Sequence, residues 1–495
     1  MKPFYIFNTL NRRVEEFEPL APPVQPPERR LVTYYSCGPT VYLPQHLGNM
    51  RAYVFVDTLR RALELNGYDV RHVMNITDVG HMTSDADTGE DKIEKTARAE
   101  GKTPREVADF YIKQFKDDCA KLNIELPPDA APNDAPHPPQ SALCRATDNI
   151  DAMIALIERI LAHGYAYRTP SGVYFDVEKW RGPGGMGRLA RQSLDEQHAG
   201  QRLEHSLDKK SPHDFALWVL NQPQHLMQWE SPWGRGYPGW HIECSAMSMR
   251  YLGETIDIHS GGLDHIPVHH ENEIAQSEGA TGKPFVRCFV HNAFLVGMEG
   301  AKISKSAGRF PVLDDLAAAG INPLAFRLLC LGAKYRSELA FSLDAVRAAA
   351  RNLEYFAEFA YNLPDEDAAA DTDLPWAQQF DDRFVEALNN DLNTPQALAV
   401  ALELVAEAYR RGDKRIWNTL KKFDVVLGLN LEDKRKETHG VFPAEINALL
   451  REREAARAVK DFKRADELRK QLEAKGYEVK DLRKGYRIMP RRGAA

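Results

Sequence analysis

Residues 31–76 read LVTYYSCGPTVYLPQHLGNMRAYVFVDTLRRALELNGYDVRHVMNI. The first six residues alternate bulky and small side chains as a β-strand does, and Gly38-Pro39 then interrupts the pattern as a loop does. Apolar side chains recur at helical spacing between Val56 and Leu63, and a second strand pattern runs from Val70 to Ile76. Strand, loop, helix and strand within about 45 residues form a βαβ unit. The stretch therefore predicts an α/β fold whose parallel sheet binds ligands at the carboxyl ends of its strands.

Residues 241–291 concentrate side chains that bind metal ions. Six of the 16 histidines of the chain lie in this stretch, together with Cys244. His269 and Glu273 are four residues apart, so on a helix both side chains project from one face. Cys37 ends the first predicted strand, where the ligand chemistry of a parallel sheet belongs. Thiolate, imidazole and carboxylate groups together indicate a zinc site.

Spacing alone does not decide which of the six cysteines hold the metal. Cys119, Cys144, Cys288 and Cys330 lie in helical or apolar surroundings, and we expect them to be buried, inert thiols. Six cysteines are also too few for a disulfide scaffold in a chain of 495 residues, so a reducing compartment is expected.

Two short segments carry groups suited to a nucleotide. His46 and Asn49 flank Gly48 at the start of the predicted helix, where backbone amides attract phosphate and glycine permits close approach. Lys302 and Lys305 lie with two serines in KISKS, between glycines, and a pair of cations there suits a triphosphate. A solvated basic turn is the alternative interpretation of the second segment.

The two segments resemble the HIGH and KMSKS signatures of class I aminoacyl-tRNA synthetases and occur in the same order, although Asn49 stands where the fuller first signature has histidine. Within that class, CGPTVY at 37–42, PGWHIECSAM at 238–247 and HHENEIAQS at 269–277 resemble the cysteinyl-tRNA synthetase family. The resemblance continues through DLNTP at 391–395 and covers nearly the whole chain.

The resemblance implies an α/β fold in which a Rossmann-like parallel-sheet catalytic domain with a connective insertion precedes a mainly helical stem, a helical bundle and a small C-terminal domain. The expected segments are the first catalytic half at 1–145, the insertion at 146–212, the second catalytic half at 213–310, the stem at 311–374, the tRNA-binding bundle at 375–435 and the anticodon-binding domain at 436–495.

Residue roles carried over from the family follow its matching motifs. The implied zinc ligands are Cys37, Cys244, His269 and Glu273. Thr40, Trp240 and His241 are expected to line the amino-acid pocket, and Asp481 to contact the anticodon. His46, Asn49, Lys302 and Lys305 are expected to assist catalysis, with ATP bound by His46, Gly48, Asn49 and Lys305.

The implied reaction is the activation of L-cysteine by ATP to cysteinyl-adenylate, followed by transfer to the 3′ end of tRNA(Cys). One Zn²⁺ per chain and Mg²⁺ with ATP are the expected cofactors. Since catalytic zinc usually keeps an open position, either the ion accepts a further ligand or Glu273 loosens, and the sequence leaves both possibilities open. We expect a monomer.

Charge and hydropathy fit this interpretation. The net charge is -7, which argues against a protein that coats nucleic acid, but residues 447–495 carry 15 lysines and arginines against 8 acidic residues. That excess of basic residues suits contact with a phosphate backbone, and a solvated charged helix is the alternative. No apolar run of about eighteen residues and no signal peptide is evident, so no membrane association and a cytoplasmic location are expected.

Two other functions are compatible with parts of the pattern. A ligase of the mycothiol-pathway type shares the cysteine-activating domain and joins cysteine to a small amine, but it has no need of a basic tail. A non-catalytic, zinc-containing RNA-binding protein is the second alternative. The histidine, glycine and lysines of HLGN and KISKS argue against it.

Overall fold

A computed structural model describes residues 2–21, 30–79, 91–130, 140–180, 185–191, 208–297, 310–361, 374–413, 415–433, 443–481 and 486–490. The chain divides into two compact units. The first comprises Met1–Pro323, Ala333–Ser342 and Asn389–Leu392, and the second comprises Leu324–Gly332, Leu343–Leu388 and Asn393–Ala495.

The described residues form strands and α-helices with the following bounds. The strands are β1 (Tyr5–Asn8), β2 (Arg13–Glu16), β3 (Leu31–Ser36), β4 (Asp69–Ile76), β5 (Ala142–Arg145), β6 (Ala166–Thr169), β7 (Gly172–Phe175), β8 (Phe215–Leu220), β9 (Gly236–Pro238), β10 (Ile256–Gly262), β11 (Val286–Asn292), β12 (Leu295–Gly297), β13 (Leu339–Phe341), β14 (Tyr477–Asp481) and β15 (Tyr486–Pro490). The helices are α1 (Leu47–Leu65), α2 (Lys92–Glu100), α3 (Pro104–Lys121), α4 (Ile150–Ala162), α5 (Trp240–Leu252), α6 (His269–Thr281), α7 (Leu313–Ala318), α8 (Leu324–Leu331), α9 (Leu343–Tyr361), α10 (Pro375–Asn389), α11 (Thr394–Arg411), α12 (Trp417–Leu427), α13 (Ala444–Ala458) and α14 (Phe462–Ala474).

A five-stranded parallel sheet in the order β11-β10-β3-β4-β5 forms the centre of the first unit. Strand β3 has the predicted bounds, and β4 begins one residue before the predicted Val70. Helix α1 connects them, with the His46 side chain accepting a hydrogen bond from the Asn49 amide at its start. Strands β3 and β4 are buried on both faces, as central strands of a parallel sheet are. The predicted α/β fold and its βαβ unit are confirmed.

A second sheet in the first unit is antiparallel and follows α4. It has the order β6-β7-β8-β9. The run Val173-Tyr174-Phe175-Asp176-Val177 predicts a strand by its β-branched and aromatic side chains, and β7 begins one residue before this run and ends two residues before its end. Apolar side chains of α4 and of strands β7 and β8 belong to the same buried cluster as those of α5 and α6, so this sheet shares a core with the helices of the site.

Helices dominate the second unit from α8 to α14, and a β14-β15 hairpin follows them. Apolar side chains at Val459, Phe462, Ala465, Leu468 and Leu472 recur at helical spacing, so the sequence predicts one charged helical stretch from Glu452 to Gly476. The structure divides this stretch into two helices. Helix α13 ends before Val459, Lys460 adopts a left-handed backbone with φ 62°, and the Asp461 side chain caps α14. The break exposes 77% of Val459 and 59% of Phe462, which the single-helix pattern had placed on the apolar face.

No helix among the described residues is long and apolar enough to cross a lipid bilayer.

Candidate metal and nucleotide site

Four of the predicted metal ligands meet at the carboxyl end of the central sheet. Cys37 directly follows β3, Cys244 lies on α5, and His269 and Glu273 lie on α6. Each of the four offers one ligand atom, and these atoms all lie within 4.8 Å of one another. The topology explains the convergence, because α6 follows β10 and β10 is the hydrogen-bonded neighbour of β3.

The Glu273 carboxylate is fully buried and asymmetric. Its Oε2 atom lies 2.8 Å from Nε2 of His259 on β10, which fixes one side of the group. Its Oε1 atom lies 3.0 Å from Nε2 of His269 but has no aligned hydrogen bond among the described residues. Two ligand atoms this close together, without an aligned hydrogen bond between them, can both face a common ion.

A second layer of aromatic side chains orients His269. Its Nδ1 atom lies 2.9 Å from Nδ1 of His241, and its ring stacks on Trp240 with centroids 4.4 Å apart. A histidine that donates its other ring N–H to a fixed partner is the usual support for a metal ligand. Trp240 and His241, predicted for the amino-acid pocket, therefore both contact one of the predicted ligands.

Cys37 is supported by a chain of histidines. Its Sγ atom lies 3.4 Å from Nε2 of His270, whose Nδ1 atom lies 2.8 Å from Nε2 of His291. The far nitrogen of His291 contacts the Thr9 hydroxyl at 2.8 Å. Cys37, His259, His270 and Glu273 form a second set with ligand atoms within 4.8 Å, which overlaps the first at Cys37 and Glu273. The sequence grouped these histidines but did not assign them this supporting role.

The electrostatics of the site favour anionic ligands at two of the four positions. The neighbouring Cys37 thiol lowers the pKa of Cys244 to about 6, while burial raises the pKa of Cys37 well above its usual value, so the pair holds one proton. Burial opposes ionisation of Glu273, but His259 and His269 outweigh it and hold the pKa of Glu273 well below its usual range. Burial lowers the pKa of His269, but Glu273 and Cys244 raise it to about 10.

The donor set fits zinc. Two sulfurs, one imidazole and one carboxylate are zinc ligands, and the buried Oε1 atom of Glu273, which has no aligned hydrogen bond among the described residues, is available to such an ion. The other cysteines do not compete for this role. Cys119, Cys144, Cys288 and Cys330 are buried as predicted, and burial raises the pKa of the Cys119, Cys144 and Cys288 thiols.

The first nucleotide signature lies at the N-terminus of α1. Asn49 donates its backbone amide to Nδ1 of His46 at 3.2 Å, and its side chain donates to Gln45 at 2.8 Å. A Cβ at Gly48 would stand 3.0 Å from the His46 ring, so only glycine leaves that ring in place without displacement. Backbone amides at helix starts commonly bind phosphate, and in this structure the Asn49 amide is already used by His46 and the Leu47 amide by the Pro311 carbonyl.

Lys302 and Lys305 of the second signature lie outside the described residues. The residues that follow the segment contact α1: the His46 ring stacks on Phe310 with centroids 4.7 Å apart, and the Leu47 amide donates to the Pro311 carbonyl at 2.8 Å. The last described residue before the segment, Gly297, ends β12.

Thr40 and Asp481 occupy different parts of the chain. Thr40, predicted for the pocket, forms an isolated parallel bridge with Thr77, beyond the end of β4, and its carbonyl accepts from Gln45 at 3.2 Å. Asp481, predicted for the anticodon, ends β14 in the second unit, where its carboxylate pairs with the buried Arg453 and lies 3.0 Å from Arg457.

A third group of potential ligands, Asp91, Glu94 and His225, was not found from the sequence. Several of its ligand atoms are used in local contacts, although Nε2 of the buried His225 has no hydrogen-bond partner among the described residues. Asp91 accepts from the Glu94 amide at 2.7 Å as the N-terminal cap of α2, and Glu94 accepts from Nδ1 of His225 at 2.7 Å and from the Leu226 amide at 2.6 Å. The group thereby joins α2 to the segment after β8.

Three family models match the chain in sequence order. Residues 23–351 match the class I (C) tRNA synthetase catalytic domain, residues 383–432 match the DALR domain, and residues 439–487 match the cysteinyl-tRNA ligase anticodon binding domain.

Curated relatives match over nearly their full lengths. A cysteine-tRNA ligase of Treponema denticola is 42% identical, with 96% of this chain and 97% of the relative covered. Cysteine-tRNA ligase 1 of Burkholderia lata is 44% identical, with 98% and 97% covered. Among solved structures, Mycobacterium tuberculosis methionyl-tRNA synthetase in complex with methionyl-adenylate is 14% identical, with a TM-score of 0.53 over 81% of this chain and 90% of that one. That likeness concerns the fold.

Proposed function

The chain belongs to the cysteinyl-tRNA synthetase family, and from that premise we propose that it activates L-cysteine at the cluster of Cys37, Cys244, His269 and Glu273. Membership makes the protein a cysteine-tRNA ligase, an aminoacyl-tRNA synthetase that uses ATP, an amino acid and tRNA. We propose in addition which residues bind the substrates, which metal the cluster holds and in which order the reaction steps occur.

Zn²⁺ is the metal that the four side chains would hold, and when bound it supplies a soft Lewis acid that prefers a thiolate to a hydroxyl. The preference matters because cysteine and serine differ by one atom, and a pocket without such a group separates isosteres by only about a hundredfold. His259 fixes one Glu273 oxygen, and His241 and Trp240 fix the His269 ring, so these residues hold the ligands in position. Thr40 is the third residue that we assign to the pocket.

In the reaction, the carboxylate of cysteine attacks the α-phosphorus of ATP and pyrophosphate leaves with the electrons of the broken P–O bond. The ribose hydroxyl at the 3′ end of tRNA then attacks the carbonyl carbon, and AMP leaves. Little proton transfer is needed in the first step, so positioning and charge stabilisation account for its rate. We assign ATP binding to His46, Gly48, Asn49 and Lys305, with Lys302 and Mg²⁺ sharing the phosphate charge.

The observation that carries the proposal is the convergence of the four ligand atoms, each from a different part of the fold except for the pair on α6. The test is cysteine-dependent exchange of pyrophosphate into ATP by zinc-loaded protein, with serine in parallel. We expect rapid exchange with cysteine and a rate with serine that is lower by more than about a hundredfold. Equal rates with the two amino acids would contradict the proposed site.

The small-amine ligase is not favoured, because residues 439–487 match an anticodon-binding domain that such an enzyme has no use for. We further propose tRNA(Cys) as the acceptor, a monomeric cytoplasmic enzyme, and the six segment boundaries given by the family resemblance. Charging of tRNA(Cys) by the full-length protein tests the acceptor, and light scattering, which gives the mass of the particle, tests the monomeric state.

A further inference from the structure

Arg51 is a buried arginine on α1, two residues after the first signature. Only 3% of its surface is exposed. Its guanidinium donates from Nη1 to the Phe294 carbonyl and from Nη2 to the Ser337 carbonyl. A buried guanidinium must have its donors satisfied, so the two carbonyls tie α1 to two other segments of the first unit.

These two carbonyls lie where β12 and β13 begin. The strands are parallel, with Leu295 opposite Leu339, and the Phe294 carbonyl also accepts from the Leu339 amide at 3.0 Å. Strand β12 ends at Gly297, directly before the segment that contains Lys302 and Lys305. Arg51 therefore fixes the start of β12, the strand that precedes the second signature in the sequence.

The other flank of that segment is held by the same helix. His46 stacks on Phe310, and the Leu47 amide donates to Pro311. The described residues on both sides of 298–309 are thus fixed against α1, which carries the first signature at its N-terminus.

We propose that Arg51 is a positioning residue for adenylate formation, which ties α1, and with it the first nucleotide signature, to the starts of β12 and β13. The proposal rests on the proposed function. Arginine is required because its planar fork reaches two carbonyls at once, whereas the lysine ammonium is a point donor on a flexible stem. Loss of these two hydrogen bonds lets the start of α1 shift relative to β12 and β13, and a displacement of about 1 Å can slow a positioned reaction by a hundredfold.

The test compares Arg51→Lys with Arg61→Lys, because both arginines are buried on α1. The Arg61 guanidinium binds Asp57 at 2.8 Å and the Asn123 carbonyl at 2.8 Å, away from β12 and β13. Both variants are measured for zinc content, melting temperature, active-site concentration, and single-turnover adenylate formation at saturating cysteine over a range of ATP concentrations.

We expect Arg51→Lys to lower the rate of adenylate formation per active site by about 10- to 100-fold. Zinc content and the KM for cysteine are expected to match those of Arg61→Lys. Equal rates per active site in the two variants would overturn the proposal, as would a loss in Arg51→Lys that is accounted for by lost zinc.

A second variant keeps the test decisive if lysine is poorly accommodated. In Arg51→Ala, added guanidinium at non-denaturing concentration is expected to restore part of the lost rate, and no restoration in folded Arg51→Ala would contradict the positioning role. Failure of the proposed function would be recognised separately, since the unmodified protein would then show no cysteine-dependent exchange of pyrophosphate into ATP.

Discussion

Cys244 gives the most direct residue-scale test of the site, because its thiol lies among three other ligand atoms. We expect Cys244→Ser to lose zinc and to lose most of its preference for cysteine over serine, since a hydroxyl is a poor zinc ligand. Zinc is measured by mass spectrometry and the preference by pyrophosphate exchange. Cys288→Ser is the matched control, because that thiol is also buried but lies on β11 outside the cluster. Retention of both properties by Cys244→Ser would show that the ligand set is wrong.

His259 tests the support of the site rather than the ligands. Its Nε2 atom lies 2.8 Å from the Glu273 oxygen that faces away from His269. We expect His259→Ala to weaken zinc binding by about 10- to 100-fold, the usual effect of removing such a partner. Competition with a chromogenic chelator measures the affinity. His163→Ala, which removes a histidine bound only to the Gly279 carbonyl at 2.8 Å in the described structure, should bind zinc as the unmodified protein does.

At this scale the sequence predicted the kinds of ligand better than their identities. His269 and Glu273 followed from helical spacing, and α6 places them as that spacing requires. Cys37 and Cys244 could not be chosen from the six cysteines without the family resemblance, because they are 207 residues apart and spacing says nothing about contacts over that separation. The supporting contacts of His259 and His270 depend on the pairing of β10 with β3 and β11, which local patterns do not specify.

Helix ends provide a test at the scale of the element. Gly428 ends α12 and Gly412 ends α11, both in the left-handed region with φ 65° and 68°. A Cβ at Gly428 would stand 2.5 Å from the guanidinium of the buried Arg327, whereas one at Gly412 meets nothing within 4 Å. Arg327 donates from Nε to the Leu427 carbonyl at 2.7 Å, so it cannot move away without breaking that bond.

We therefore expect Gly412→Ala to cost about 1 kcal/mol through its backbone alone, and Gly428→Ala to cost about 2–4 kcal/mol because overpacking is added. Melting temperatures from circular dichroism give the order of the two effects. Equal shifts for the two variants would contradict the contact between Gly428 and Arg327.

Elements with strong local signals were predicted well. Strand β3 has its predicted bounds. An Asn-Gly pair predicts the end of a helix, and α1 ends directly before Asn66-Gly67. The C-terminal helix was predicted as one element because Val459 and Phe462 fit its apolar spacing. The left-handed Lys460 and the Asp461 cap divide it, and a non-glycine residue at positive φ leaves little trace in a sequence.

At the scale of the whole molecule, the two units allow activation and tRNA recognition to be tested separately. Asp481 lies in the second unit, on β14 beside Arg453 and Arg457, and the variant to test is Asp481→Asn. We expect it to lower kcat/KM for tRNA charging by at least about tenfold, the effect of roughly 1.4 kcal/mol lost at a base contact, and to leave pyrophosphate exchange unchanged. Glu478→Gln removes the same charge from the same strand at an exposed position and should charge tRNA normally. Reduced pyrophosphate exchange in Asp481→Asn would contradict the assignment of Asp481 to tRNA recognition alone.

The order of regions along the chain followed from the family resemblance, and the parallel sheet followed from residues 31–76 alone. Neither the family resemblance nor the pattern of residues 31–76 predicted that the compact units are discontinuous. Ala333–Ser342 and Asn389–Leu392 belong to the first unit, although α9, which lies between them in the sequence, belongs to the second. Specific hydrogen bonds attach Asn389–Leu392 to the first unit: the Asp391 carboxylate accepts from the Tyr335 hydroxyl at 2.7 Å and from the Phe7 amide at 2.9 Å. The first of these contacts spans 56 positions and the second 384, both beyond the range of any local pattern.

The placement of β3 between β4 and β10 constrains how the protein is made. During translation β3 and β4 emerge early, but β10 and the last ligand, Glu273, follow Cys37 by up to 236 residues. At roughly 5–20 residues per second a ribosome needs roughly 12–47 seconds to cover that distance. For this interval the nascent polypeptide exposes an apolar strand edge and the Cys37 thiol, so we expect its successful synthesis to require that the edge is shielded from other chains and that the thiol is kept reduced.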